Sequence, residues 1–321
     1  MLFCRNFFHS VHLIAFFLFS LLPLTVQAAD QQTFTPFVLA AQLTSSMDEA
    51  KVKVTQQISK SSFYIVAEYS PYEGAHIYII TSDELKSLAA QSSYGGFAAP
   101  QRISLTQVNK NIQVAYTNPV FMQHAYRMKN VDLQPVLNQM TKAFGLEQFF
   151  GSEGLTDKKL RRFNYAFGME KFNHFYELPE YPSHAKAIAA LKKGFKENDN
   201  GITEIYEIKI PGKKQVVFGV AMSAEDSGVK YLDVKKTMTV IDHKPLKRTA
   251  YLPYEIMVDG KNIIALHARF RIAVNFSELK MFGKHGFGKL FSTPSAYHKA
   301  FTRVSGGKLQ TNTSGGNGFI D

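Results

Sequence analysis

Apolar positions along this chain fall into two periods, one near 3.6 and one near 2, and the two alternate in an order that occurs twice. In the first pass, Phe34–Thr44 predicts a strand. Ser45 or Ser46 then caps a helix with Asp48 and Glu49 in its first turn, where the helix dipole favours negative charge, and Val54 and Ile58 share a face. Ser62–Tyr69 and Ala75–Thr81 are rich in β-branched and aromatic residues and flank the Pro71–Gly74 turn, so they predict a hairpin. Asp83–Ala90 predicts a short helix and Gln91–Phe97 a flexible Gly-rich rim. Arg102–Val108 and Ile112–Tyr116 predict a second hairpin around Asn109-Lys110. Val131–Phe144 places Leu133, Val136, Leu137 and Met140 on one helical face and stops at Gly145.

The second pass predicts a helix over Ser183–Lys196, hairpin strands over Thr203–Ile210 and Gln215–Met222, and strands over Lys235–Ile241, Tyr254–Val258 and Ile263–Phe270. A helical or irregular stretch, Phe276–Val304, follows. Local matches keep the same order. Pro211-Gly212 answers Pro71–Gly74, Val258–Ile263 answers Val108–Ile112, and Phe270-Arg271-Ile272 answers Tyr126-Arg127-Met128. The expected class is α+β: two similar units, 29–150 and 182–304, each an antiparallel sheet packed against two helices. The join, 151–181, holds a short basic helix (Thr156–Phe163) and an aromatic run (Phe163–Phe167). The Ser/Gly/Asn-rich tail, 305–321, is expected to be disordered.

The first 28 residues change the setting. Arg5, the apolar run Leu13–Leu24 and the small side chains at Val26-Gln27-Ala28 read as an export signal cleaved after Ala28. The run is short for a span and contains Pro23, which disfavours an uncleaved anchor. The expected location is the periplasm or outside the cell, with no transmembrane span in the mature chain. The only cysteine is Cys4, so the mature chain has no disulfide and must hold itself by burial.

Charge is uneven. Lys and Arg balance Asp and Glu, nine against nine, over Ala29–Phe150, but lead 27 to 17 over Gly151–Asp321. The basic half favours an anionic small molecule, an envelope component or a membrane surface; export argues against nucleic acid.

The residues Val114–Pro119, Ala125–Met128 and Ala143–Gly145, with Val216–Val220 and Lys261–His267 in the second unit, resemble the bacterial family called domain of unknown function 302. The resemblance implies a tandem pair of hairpin-rich units of the TATA-binding-protein-like type and carries no activity with it. The second unit has no Asn-Pro at the place of Asn118-Pro119.

Candidate chemistry is sparse. If Phe121–Met128 is a strand, Met122, His124, Tyr126 and Met128 share a face that could hold copper(I). The second copy places Ala268, Phe270 and Ile272 at the last three positions, an ordinary core face. Arg127 and Arg271 are the polar positions that both copies keep, and a guanidinium fork suits carboxylate or phosphate. Asn118-Pro119 reads as a turn, and Tyr165, His174 and Glu177 as polar groups near the join. The mature chain has no G-x-S-x-G, no H-E-x-x-H and no cysteine nucleophile. The expectation is a soluble, non-catalytic binding or interaction protein of the bacterial cell envelope. Its ligand place is expected at the aromatic join between the units, Phe163–Phe175, and its ligand residues are taken from Arg127, Arg271, Tyr126, Asn118, Tyr165 and His174, with no metal site and no cofactor assigned. The alternatives are an envelope enzyme with a site between the units, or a tetrapyrrole or copper carrier.

Overall fold

A computed structural model describes residues 31–197 and 201–308; the export-signal residues and most of the tail lie outside them. The fold is α+β. A two-stranded clasp pairs β1 (Thr33–Phe34) with β8 (Leu155–Thr156). The first half runs β2 (Phe37–Leu43), α1 (Met47–Ser59), β3 (Tyr64–Tyr69), β4 (Ala75–Thr81), α2 (Asp83–Ala89), β5 (Gln101–Val108), β6 (Asn111–Thr117), α3 (Pro119–Ala125), α4 (Gln134–Phe144) and β7 (Gln148–Phe150). After α5 (Asp157–Arg161), the second half runs β9 (Phe175–Glu180), α6 (His184–Glu197), β10 (Ile202–Lys209), β11 (Gln215–Met222), α7 (Ala224–Ser227), α8 (Val234–Ile241), β12 (Tyr254–Asp259), β13 (Asn262–Leu266), α9 (Ala268–Asn275) and α10 (Thr293–Val304). Phe175–Glu180, expected to belong to the join, is thus the opening strand of the second sheet.

Both sheets are antiparallel and run in the same order, β3-β4-β5-β6-β2-β7 and β10-β11-β12-β13-β9. In each, two hairpins lie side by side and the opening strand is added beyond the last of them. The helix after that strand must therefore carry the chain across a sheet face. The sequence equips α1 for this. Ser46 accepts from the Glu49 amide while Glu49 accepts from the Ser46 amide, closing a capping box. Ala50, Val54 and Ile58 are buried on the sheet side. Residues Ala187, Leu191 and Phe195 serve α6 in the same way. A second helix, α4 or α10, packs beside each.

Expecting each sheet to bury one face does not account for β4 and β11, which are buried at all or nearly all positions. The other face of each sheet is covered by the opposite half. The single-turn helix Gly95–Ala98 packs on β11 and β12, and its counterpart Thr249–Tyr251 packs on β4, β5 and β6. At Gly96 a Cβ would lie 2.8 Å from the Met257 sulfur and 3.2 Å from Val217, so glycine lets this connector approach without displacing the Met257 side chain. Buried polar groups tie each connector down. Gln101 Nε2 donates to the Ala98 carbonyl at 2.8 Å, and Arg271 Nη2 donates to the carbonyls of Tyr251 and Pro253, both at 2.7 Å.

At the centre of this contact, Glu255 of β12 lies between Arg102 of β5 and Arg271 of α9. All three side chains are 2–3% exposed. Arg271 also stacks between Tyr251 and Tyr254, with ring centroids 4.2 and 4.4 Å from its guanidinium carbon. A third buried arginine, Arg248, binds Asp242 at 3.1 Å, Glu278 and the Gly151 and Ile241 carbonyls.

Three local expectations are corrected. Lys235–Ile241 is helix, not strand: Asp233 caps α8 by accepting from the Lys236 amide, and Val234, Thr237, Met238 and Ile241 bury one face. The run's β-branched residues suggested a strand, but their spacing is helical. Ile263–Phe270 is not one strand, because β13 ends at Leu266 and His267 caps α9. Phe121–Met128 is not a strand either, because Asn118 and Pro119 start α3.

Removing the central carboxylate leaves two buried guanidiniums facing each other. Glu255→Ala is therefore expected to cost about 3–5 kcal/mol in urea unfolding, whereas Glu68→Ala, half exposed beside His76, should change stability by less than about 1 kcal/mol.

Candidate functional site

The helical start at Asn118 redistributes every candidate in 118–128. Asn118 Oδ1 accepts from the amides of Val120 and Phe121, at 3.0 and 3.3 Å, and its Nδ2 donates to the Thr35 carbonyl at 2.9 Å. Its polar atoms are spent on the fold, so it is a buried helix cap rather than a ligand residue. His267 does the same for α9, its Nδ1 accepting from the Arg269 amide at 3.3 Å. This explains how the second half dispenses with Asn-Pro. The copper face dissolves with the strand. Met122 and Met128 are core, while His124 packs its ring 4.6 Å from Phe34, and burial pulls its pKa down.

Counting from the two caps also separates the two arginines. Arg271 is the fourth residue after His267, where the first half has Met122. It is buried in the triad, so the pairing of Arg127 with Arg271 is corrected. Arg127 stands just beyond the end of α3. Its amide donates to the His124 carbonyl at 3.1 Å, and the Met128 amide donates to the Gln123 carbonyl at 2.9 Å. These two bonds close a Schellman turn, whose left-handed position is usually glycine. Here Arg127 occupies it, at φ 53°. A side chain there costs about 1 kcal/mol relative to glycine.

Arg127 opens onto a cleft of about 310 Å³ at the meeting of α3, the α2 connector and the join. Tyr94, Tyr126 and Phe172 make its aromatic wall. Tyr126 and Phe172 stack at 5.3 Å with a 15° interplanar angle, and Tyr94 meets Phe172 edge-on at 6.1 Å. Gln91, Ser92 and Ser93 line another side, and Lys129 and Asn173 complete the lining. The lining holds two cations and no carboxylate. The connector was expected to be a flexible rim. It is pinned instead: Lys213 Nζ donates to the Ser92 carbonyl at 2.7 Å, Gln215 Nε2 donates to that of Ser93, and Gly95–Ala98 is buried.

The guanidinium is aimed. Arg127 Nη1 donates to Asn173 Oδ1 at 2.8 Å, while its Nε is buried with no hydrogen-bond partner. Burial lowers the Arg127 pKa, although a guanidinium stays charged at any ordinary pH. Arg127 and Lys129 together give the cleft a positive field. Such a cleft could bind and orient an oxyanion whose flat or apolar part lies on the aromatic wall. Lys129, Asn173, Tyr94 and Phe172 escaped the sequence reading as individual residues, since only the fold brings the Gly-rich connector to the join.

The remaining candidates do not join them. Tyr165 donates its hydroxyl to the Leu279 carbonyl at 2.8 Å and packs on Phe287. His174 is exposed, as is Glu177 on β9. His174 lies within electrostatic reach of His267, which packs on Tyr176 at 4.4 Å and sits 3.4 Å from Glu170. Among the described residues, no group of three or more His, Cys, Asp or Glu side chains is placed to hold a metal ion.

Burial pushes the His267 pKa down from its ordinary 6.5 to about 4, with Glu170 opposing and Arg269, His298 and His174 adding to the fall. Between these values the unfolded chain takes up a proton that the folded chain refuses. His267 therefore costs no stability above its ordinary pKa and destabilises the fold progressively as pH drops toward 4. His267→Asn keeps a capping oxygen and removes the titration. Urea unfolding at about pH 7.5 and about pH 5 should show a smaller acid-side loss in this variant than in the wild type.

Comparison with protein-family models, with curated proteins and with solved structures finds no match to this chain.

Proposed function

We propose that this chain is a non-catalytic binding protein of the cell envelope, and that the cleft on Arg127 and Lys129 takes a small anionic ligand with a flat apolar part. The observation that carries the reading is Arg127 itself. A Schellman turn at this place is most stable with glycine, yet the chain spends that stability on a guanidinium aimed by Asn173 over an aromatic wall. Two cations and no carboxylate in the lining support an anionic partner. The cleft's size lies at the small end of ligand pockets, which favours a small ligand over a tetrapyrrole. Export follows from the first 28 residues, which lie outside the described ones.

The strand order that the two sheets share over five strands supports a duplicated unit and the resemblance to the domain of unknown function 302 family. The two copies have diverged in use. Only the first ends its post-hairpin helix on an exposed-facing arginine; the second buries its arginine against Glu255.

Titration of the full chain with phenyl phosphate, inorganic phosphate and phenol tests this. Phenyl phosphate should bind more tightly than either part alone. Arg127→Gly should weaken it roughly tenfold to a hundredfold, the worth of charge-assisted hydrogen bonds, while leaving thermal stability equal or raised by up to about 1 kcal/mol. Undiminished binding in Arg127→Gly would remove the cleft from the account. Native mass spectrometry of the chain taken from its own cells should then show a small adduct in the wild type that Arg127→Gly lacks.

A further inference from the structure

The basic excess of the second half has a specific address. Phe282 and Phe291 are 78% and 62% exposed, and Lys280, Lys284 and Lys289 between and beside them are exposed as well. Single exposed phenylalanines need no explanation, but these two stand on one tight loop. The amides of Phe287 and Gly288 donate back to the carbonyls of Lys280 and Met281, at 3.0 and 2.8 Å, which turns Phe282 outward at the bend. Phe287 and Leu290 point inward and anchor the loop in the core. A Cβ on Gly288 would lie 3.5 Å from the Phe291 ring, and one on Gly286 would lie 2.7 Å from the Phe282 backbone. The two exposed rings thus rise from neighbouring backbone.

The loop's own charge is of one sign. No Asp or Glu occurs from Leu279 to Ile320, and Glu278 just before is committed to buried Arg248. We propose that the loop Lys280–Phe291 is a docking surface for an anionic lipid bilayer. Phe282 and Phe291 enter the boundary between headgroups and acyl chains, while Lys280, Lys284 and Lys289 stay with the lipid phosphates. Rings that project from a convex loop need no complementary pocket, which a bilayer does not offer and a protein partner would. Aromatic insertion combined with lysine attraction, each weak alone, is the two-signal arrangement that gives reversible membrane binding.

The chain contains no tryptophan, so Phe282→Trp in the mature chain, from Ala29 on, carries a single tryptophan at the proposed contact. On vesicles of equal parts phosphatidylglycerol and phosphatidylcholine, its emission should shift to the blue and be quenched by brominated lipid. On pure phosphatidylcholine the response should be small. Adding Lys280→Glu, Lys284→Glu and Lys289→Glu should lower partitioning roughly tenfold or more. Phe291→Trp repeats the test at the second ring without altering charge. Val52→Trp, on the exposed side of α1 and 58% exposed in the wild type, should not respond. An unchanged Phe282→Trp spectrum while the chain sediments with vesicles overturns the proposal, because another segment then makes the contact. So does a response that survives lysine reversal, or an equal response at Val52→Trp.

Discussion

The carboxylate of Glu255 is the constraint on which the rest of the structure depends. It is buried between two guanidiniums that cannot be neutralised, Arg102 from the first sheet and Arg271 from the helix behind the second. None of the three could be buried alone, since an unpaired charge in the interior costs several kcal/mol. They therefore force β5, β12 and α9 to one place. Around them each half lends its connector to the other's sheet, so the four central strands bury both faces. The exchange is reciprocal: Gly95–Ala98 goes one way and Thr249–Tyr251 the other.

The cleft is a consequence of that exchange. The connector that reaches the second sheet also supplies Ser92, Ser93 and Tyr94 to one side of the cleft. Tyr126, whose ring stacks on Phe172, lies within electrostatic reach of Arg102 and Arg271. The aromatic wall is thus continuous with the buried polar centre, and Arg127 stands at its outer edge. The lysine-rich loop at Lys280–Phe291 draws on different chemistry. Its charge is solvated, its rings project, and its anchor is the buried pair Phe287 and Leu290. A few of the chain's basic groups are therefore internal and structural, as at Arg102, Arg248 and Arg271, while those of this loop are displayed.

Much of this architecture was legible in the sequence. The four hairpin strands of the first half and the β10–β11 hairpin follow from β-branched runs and their turns, Pro71–Gly74, Asn109-Lys110 and Pro211-Gly212, and α1 from its serine cap, first-turn acids and apolar spacing. What misled were short segments where cap and strand chemistry compete. Val234–Ile241 carries strand-forming residues at helical spacing. His267 is an unusual cap, so α9 read as a continuation of β13. That error shifted the internal alignment by five positions and paired Arg271 with Arg127 instead of Met122. Of the candidate site, Tyr126 and Arg127 were visible because they are local. Lys129 and Asn173 were not, because a contact between residues 127 and 173 is set by where the join crosses α3. Long-range placement of this kind has no signature in local periodicity.

The claim that most deserves a direct test is that the buried Arg–Glu–Arg contact makes the two halves one cooperative unit. Native-state amide exchange in rising urea, read separately over the strands of the first sheet and those of the second, measures it. A single unit requires the slowest amides of β4, β5, β11 and β12 to open with one common free energy and one common urea dependence. Two distinct opening free energies, one for each sheet, would show that the halves fold independently and that the charge triad merely joins them.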